Sequence, residues 1–166
     1  KPWNDDVFLA KLQSLEGTDI KAVGIDLDSL GLSNARMNGG YIPCRTDQQL
    51  EALLKQIPYP VIIKGVMTQS EAVQLAEMGV AAIVVSNHGG RIIDYSPGTA
   101  EVLPEIAAAV KGKTTILVDG GIQSGMDIYK MLALGADGVL IGRAFARAVF
   151  SDLEMVWPNI VRRFRR

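Results

Sequence analysis

Two periods alternate along this chain, and that alternation limits its folds more than any other feature. Short Val/Ile-rich runs, each ending in glycine or a polar group, are followed by longer amphipathic stretches. Strands are expected at 22–28 (AVGIDLD), 60–65 (PVIIKG), 81–87 (AAIVVSN), 114–120 (TTILVDG) and 138–143 (GVLIGR). Near-continuous apolar runs of this kind suit strands covered on both faces, as in parallel sheets. Helices are expected at 5–15, 46–57, 68–79, 98–112 and 124–135. Thr68 and Glu71 have capping-box spacing. Gly79, Gly112 and Gly135 stand where helices should stop. Pro104 falls inside the fourth helical pattern and is compatible with a second helical piece beginning there. The stretch 31–45 has Asn, Gly and Pro without a period and reads as a long loop after a strand.

Recurring strand–helix units without internal identity give an α/β fold, either a doubly wound sheet or a (β/α) barrel. Asp26, Lys64, His88, Asp119 and Arg143 all fall near the C-terminal ends of expected strands. A barrel brings every such position to one rim, whereas an open sheet gathers them only at a switch point. The expectation is therefore a TIM (β/α)₈ barrel. Residues 1–166 read as one domain, since the length allows a single real core and no composition shift marks a linker. The net charge is −1, which gives no global reason to bind nucleic acid or membrane. The basic end RRFRR reads as a solvated helix end. Cys44 is the single cysteine, so no internal disulfide forms, and a reducing, cytoplasmic location is expected. No apolar run approaches the roughly 20 residues of a membrane span, and no signal peptide is visible.

The single histidine, His88, follows an apolar strand in VVSNHGGRIID. Gly89 and Gly90 leave space beside it, and Arg91 follows closely enough to bind an anionic substrate group. A neutral imidazole near pH 7 is a good general base. It needs an orienting carboxylate, for which Asp26 is the candidate. No second histidine or cysteine cluster accompanies it, so no metal site is expected. Lys64 ends an apolar strand, where it either snorkels or stabilises negative charge on a ligand. The glycines of DGGI (119–122) and IGRA (141–144) let backbone N–H groups approach an anion. Barrels often bind phosphate with the loops after their last two strands, and Arg143 adds a guanidinium suited to phosphate oxygens.

PVIIKGVMT, VVSNHGGRIID, LVDGGIQSG and GADGVLIGR, in that order, closely resemble the FMN-dependent α-hydroxy acid oxidase/dehydrogenase family, which includes glycolate oxidase, lactate oxidase and mandelate dehydrogenase. The resemblance is strongest over 60–143. It implies a TIM barrel with FMN at its C-terminal rim and a small (S)-2-hydroxy acid, such as lactate or glycolate, as substrate. By the same resemblance His88 is the base, Asp26 its carboxylate partner and Arg91 the substrate-carboxylate clamp. Lys64 lies beside the flavin and stabilises its reduced anionic form, with Ser86 near it. Asp119, Gly120, Gly121, Gly142 and Arg143 serve the ribityl chain and phosphate, with Gln123 beside them. Tetramers are common in the family.

The chain departs from the pattern in places. Gln123 stands where many members have arginine, which removes one phosphate charge. Ala144 stands where proline is usual. The second substrate arginine is replaced near Ser33 or Asn34, and the tyrosine of the third strand by Trp3 or a neighbour. The end SDLEMVWPNIVRRFRR does not match the family's last helices. Five strands and a stub at 1–4 fall short of the eight that close a barrel. The chain begins at Lys1, so an incomplete barrel is expected: the C-terminal part of a longer protein, or one completed by a second chain. Two other readings stay open, a non-catalytic flavin- or phosphate-binding remnant and another FMN-dependent barrel enzyme such as an isomerase.

Overall fold

The computed structural model describes residues 4–28 and 45–151, together with Arg162 and Phe164. The stub 1–3, the stretch 31–44 with Ser33, Asn34 and Cys44, and most of the basic end lie outside the described residues. Five strands form one sheet: β1 (Val23–Asp26), β2 (Val61–Val66), β3 (Ala82–Val85), β4 (Thr115–Val118) and β5 (Gly138–Val139). Their spatial order is β1-β2-β3-β4-β5, and every neighbouring pair is parallel. Six helices are described: α1 (Asp5–Gln13), α2 (Asp47–Leu54), α3 (Gln69–Glu77), α4 (Thr99–Val110), α5 (Gly125–Ala133) and α6 (Arg143–Ser151). This is the strand–helix arrangement of an incomplete (β/α) barrel.

Register explains the division between core and site. Ile25, Ile63, Ile83 and Ile116 are successive partners across four strands, and all four lie in the core cluster with Leu103, Ile106 and Val110 of α4. One residue further along, the side-chain period of two turns the next row to the opposite face. That row begins with Asp26 opposite Lys64 and continues with Val84 and Leu117. The same alternation therefore buries the isoleucines under the helices and sets a carboxylate beside an ammonium on the other face.

The helices start and stop for local reasons. Thr68 accepts from the Glu71 amide, and Glu71 caps the Thr68 amide in return, as the spacing predicts. Thr46 and Gln49 form the same reciprocal pair at α2. Gly79, Gly112 and Gly135 lie just beyond α3, α4 and α5 with left-handed φ. Pro104 does not start a new helix: α4 runs unbroken through it. The lost amide bond is outweighed by a face of α4 on which Leu103, Ile106 and Val110 are fully buried. β5 is shorter than the expected 138–143: the ladder ends soon after Leu140 donates to Val118, and α6 begins at Arg143.

At the opposite end of the sheet Asp137 ties β5 to β4. One carboxylate oxygen accepts from the Ile116 amide at 2.9 Å and the other from Lys111 Nζ at 2.8 Å. The Lys111 ammonium, followed by the Ile116 amide, holds this carboxyl below its ordinary value of 3.8. A lowered native pKa means that the unfolded chain binds more protons in acid. The stabilisation is thus complete above the ordinary carboxylate range and is lost as pH falls below it. Asp137→Ala is expected to lower the melting temperature by roughly 2–4 °C at pH 7, with a smaller gap at pH 3. Melts of both proteins at the two pH values check this, and a gap that grows in acid refutes it.

Candidate active site

Asp26, Asp28, Lys64, Ser86, His88 and Asp119 converge at the C-terminal ends of β1 to β4. Lys64 comes from β2, where its register slips by one residue against β3 at Gly65. Its Nζ donates to Ser86 Oγ at 3.0 Å and lies 3.3 Å from His88 Nε2. Asp119 Oδ2 is 3.5 Å from that ammonium and Asp26 Oδ1 3.7 Å. Ser86 is fully buried. A lysine this enclosed would be costly alone, and these partners stabilise it.

His88 has a left-handed φ of +52°, uncommon for a non-glycine residue and frequent at functional sites. The Asn87 side chain holds the turn. Its Oδ1 accepts from the amides of Gly89 and Gly90 at 3.0 and 3.2 Å, and its Nδ2 donates to the Pro97 carbonyl at 3.1 Å. The imidazole then lies between two carboxylates. Its Nδ1 is 2.5 Å from Asp28 Oδ2, and its Nε2 is 3.5 Å from Asp26 Oδ1. Asp26, the carboxylate expected beside His88, faces Nε2, and Asp28 stands at Nδ1. Asp26 ends β1 and Asp28 lies just past it, and both carboxylates reach the imidazole. The D-x-D spacing in GIDLDS was the available signal for Asp28.

Gly65 makes the approach of Asp28 possible. Its φ is +103°, and a Cβ there would stand 2.5 Å from Asp28 Cγ. His88, Asp26 and Asp28 also place three metal-ligand-type atoms within 4.8 Å of one another. The Lys64 ammonium already lies between Asp26 and His88, so a cation there would meet like charge.

The loops after β4 and β5 adjoin this cluster. Gly121 has a φ of +74° and nothing within 4 Å of where a Cβ would stand, so its backbone borders open space. Asp119 Oδ1 is buried without a hydrogen-bond partner among the described residues, which suits an added hydroxyl donor. The Gln123 amide is taken by Asp127 Oδ2 at 3.0 Å, and its side chain is exposed. Arg143 is the first residue of α6, a helix absent from the sequence reading, so the positive end of a helix dipole also lies here. The Arg143 Nη2 is 2.6 Å from where a Gly89 Cβ would stand, so its guanidinium lies against the histidine loop. Arg91 is exposed on that loop, and no described hydrogen bond or ion pair joins it to the cluster. Together these groups can take a proton at an imidazole, stabilise negative charge beside Lys64 and cradle a phosphorylated polyol.

The chain is similar to known proteins over much of its length. Residues 12–154 match the FMN-dependent dehydrogenase family model. A peroxisomal (S)-2-hydroxyacid oxidase of Arabidopsis thaliana is 47% identical over 96 residues, covering 58% of this chain and 26% of that protein. An L-lactate oxidase of Nostoc sp. is 50% identical over 101 residues, covering 61% and 28%. Among solved structures, mandelate oxidase with (S)-2-phenylpropionate superposes with a TM-score of 0.82 at 30% identity, covering 98% of this chain and 53% of that one. The matched part thus spans about a quarter of these curated relatives and about half of the solved chain. No helix among the described residues is long and apolar enough to cross a membrane. The family match extends over most of the sequence, and the chain belongs to the FMN-dependent dehydrogenase family.

Proposed function

We propose that this chain supplies the cofactor- and substrate-facing residues of an enzyme that oxidises a small (S)-2-hydroxy acid, lactate- or glycolate-like, to the 2-oxo acid. The observation that carries the reading is the imidazole of His88, held at Nδ1 by a carboxylate and presenting Nε2 beside the Lys64 ammonium. The reaction removes two electrons and two protons from the carbinol carbon and its hydroxyl. FMN, when bound, supplies the two-electron acceptor. His88 Nε2 takes one of the protons, from carbon or from oxygen. Arg91 supplies a guanidinium for the substrate carboxylate.

The residues present fit FMN. The orphaned Asp119 Oδ1 matches a ribityl hydroxyl. The open backbone at Gly121, with Gly120, Gly142 and Arg143 at the start of α6, suits the phosphate. Lys64, steadied by Ser86, suits an electron-rich ring edge. One phosphate charge is lost at Gln123. The single cysteine supports a reducing compartment, the cytoplasm.

Titrating the purified chain with FMN and following absorbance and fluorescence tests binding, and anaerobic L-lactate or glycolate then tests chemistry. Saturable binding is expected, weakened about tenfold or more by Lys64→Met through loss of a charge-assisted contact, followed by bleaching of the flavin. Binding without bleaching by any hydroxy acid would favour the remnant or isomerase readings. Absence of binding would mean that the residues of this chain do not hold FMN by themselves.

A further inference from the structure

Thr99 is the first residue of α4, and it is buried. A threonine that opens a helix ordinarily caps the helix's own amides from the position before. Here that position is Gly98, which makes no side-chain cap bond. The Thr99 hydroxyl instead donates to the backbone carbonyl of Asp119 at 2.7 Å, just past the end of β4. The register shows why a donor is needed there. The Asp119 amide donates to the Val85 carbonyl at 3.1 Å, so the next rung of a parallel ladder would bring the Asn87 amide to the Asp119 carbonyl. But β3 ends at Val85, and the chain turns away at His88. The hydroxyl takes the place of that rung, and a part-buried carbonyl left without a donor is costly. Asn87 fixes where Thr99 starts, because its Nδ2 donates to the Pro97 carbonyl two residues earlier. The turn after Asp119 packs against both side chains. A Cβ at Gly120, whose φ is +96°, would stand 3.2 Å from Thr99 Oγ1 and 3.8 Å from Asn87 Oδ1.

We infer, on the reading of this rim as an FMN site, that Thr99 is a positioning residue for the cofactor. Its hydroxyl holds the Asp119 backbone so that the orphaned Oδ1 and the Gly120–Gly121 turn keep the arrangement that receives the ribityl phosphate. Asp119 is then fixed at three points: its amide by Val85, its carbonyl by Thr99, and Oδ2 by the Lys64 ammonium at 3.5 Å. Oδ1 alone is left without a partner among the described residues. A carboxylate restrained in this way loses little conformational freedom when a ligand hydroxyl reaches it, and such preorganisation appears as affinity. No described hydrogen bond joins Thr99 to His88, so the effect belongs to cofactor binding and not to proton uptake.

Two variants separate the hydroxyl from the packing. Thr99→Val keeps the branched shape and removes the donor, whereas Thr99→Ser keeps the donor and removes a methyl. Each is measured with and without flavin. Amide hydrogen exchange by NMR is expected to show the Asp119 amide opening about tenfold more often in Thr99→Val and at the unsubstituted rate in Thr99→Ser. FMN titration is expected to give an affinity about tenfold weaker in Thr99→Val, with Thr99→Ser within about twofold of the unsubstituted protein. Packing as the cause predicts the reverse, and a weakened serine variant beside an unchanged valine variant overturns the inference. Faster exchange with unchanged FMN affinity overturns it too, because the turn would then be held for the fold alone. Failure of the unsubstituted protein to bind FMN would sink the flavin reading and the cofactor role with it, while exchange at Asp119 separately decides whether Thr99 holds the turn. Should Thr99→Val not fold, the Thr99 hydroxyl proton of the unsubstituted protein decides. A resonance protected from water and coupled to the Asp119 carbonyl is expected, and free exchange with water overturns the assignment.

Discussion

Replacing His88 with asparagine in the FMN-loaded protein is expected to slow flavin reduction by L-lactate or glycolate by about 10²–10⁴-fold, the range for loss of a positioned general base. Asparagine is small enough for the site and keeps a donor toward Asp28, but it cannot take a proton. The FMN affinity should change far less than the rate, because Lys64, Asp119 and the loops after β4 and β5 remain. Stopped-flow reduction under anaerobic conditions measures the chemical step directly. A rate within a factor of a few of the unsubstituted protein would remove His88 from the proton-accepting role, whatever the flavin affinity.

The largest effect on stability is expected at the centre of the isoleucine row. Ile83 is fully buried in β3, which has a strand on either side and helices packed against its outer face. Its neighbours in register, Ile63 and Ile116, are also fully buried. Ile83→Ala removes apolar contact and leaves a cavity that two flanking strands cannot collapse to fill. A loss of about 2–5 kcal/mol follows. Urea unfolding with the slope held in view checks it, since a shift of midpoint at constant slope reports stability alone. A loss under 1 kcal/mol would mean that the row repacks freely.

Particular residues separate what was legible in the sequence from what was not. The isoleucine and valine runs were readable because parallel strands covered on both faces tolerate no polar interruption. All five strands lie within or next to their expected ranges. The capping pair Thr68 and Glu71 and the stop glycines were readable because their chemistry is local. Asp28 was not singled out, because its role depends on a neighbour 60 positions away in the chain and on the missing side chain at Gly65. Asn87 was passed over for a similar reason: its value lies in three backbone groups that it ties together across a turn. The helix α6 was hidden by a strand reading carried on to Arg143, although Arg143 and Arg147 stand one helical turn apart. Pro104 misled in the opposite direction, since a proline penalty is local and the burial that overrides it is not.

The order of the sheet, with each strand beside its predecessor in sequence, also bears on how the molecule is made. Among the described strands none waits for a partner synthesised much later, so each strand–helix unit can add to the one just completed. Each pairing, as between Val23 and Val61 or between Leu117 and Gly138, closes one crossover and never the whole chain, which limits its entropic cost. A polypeptide leaving the ribosome N-terminus first can therefore grow its sheet by accretion. The acidic pair at the end of β1 leaves the ribosome before Lys64 and His88, and Asp119, the third carboxylate of the cluster, follows them, so the site is assembled one strand at a time.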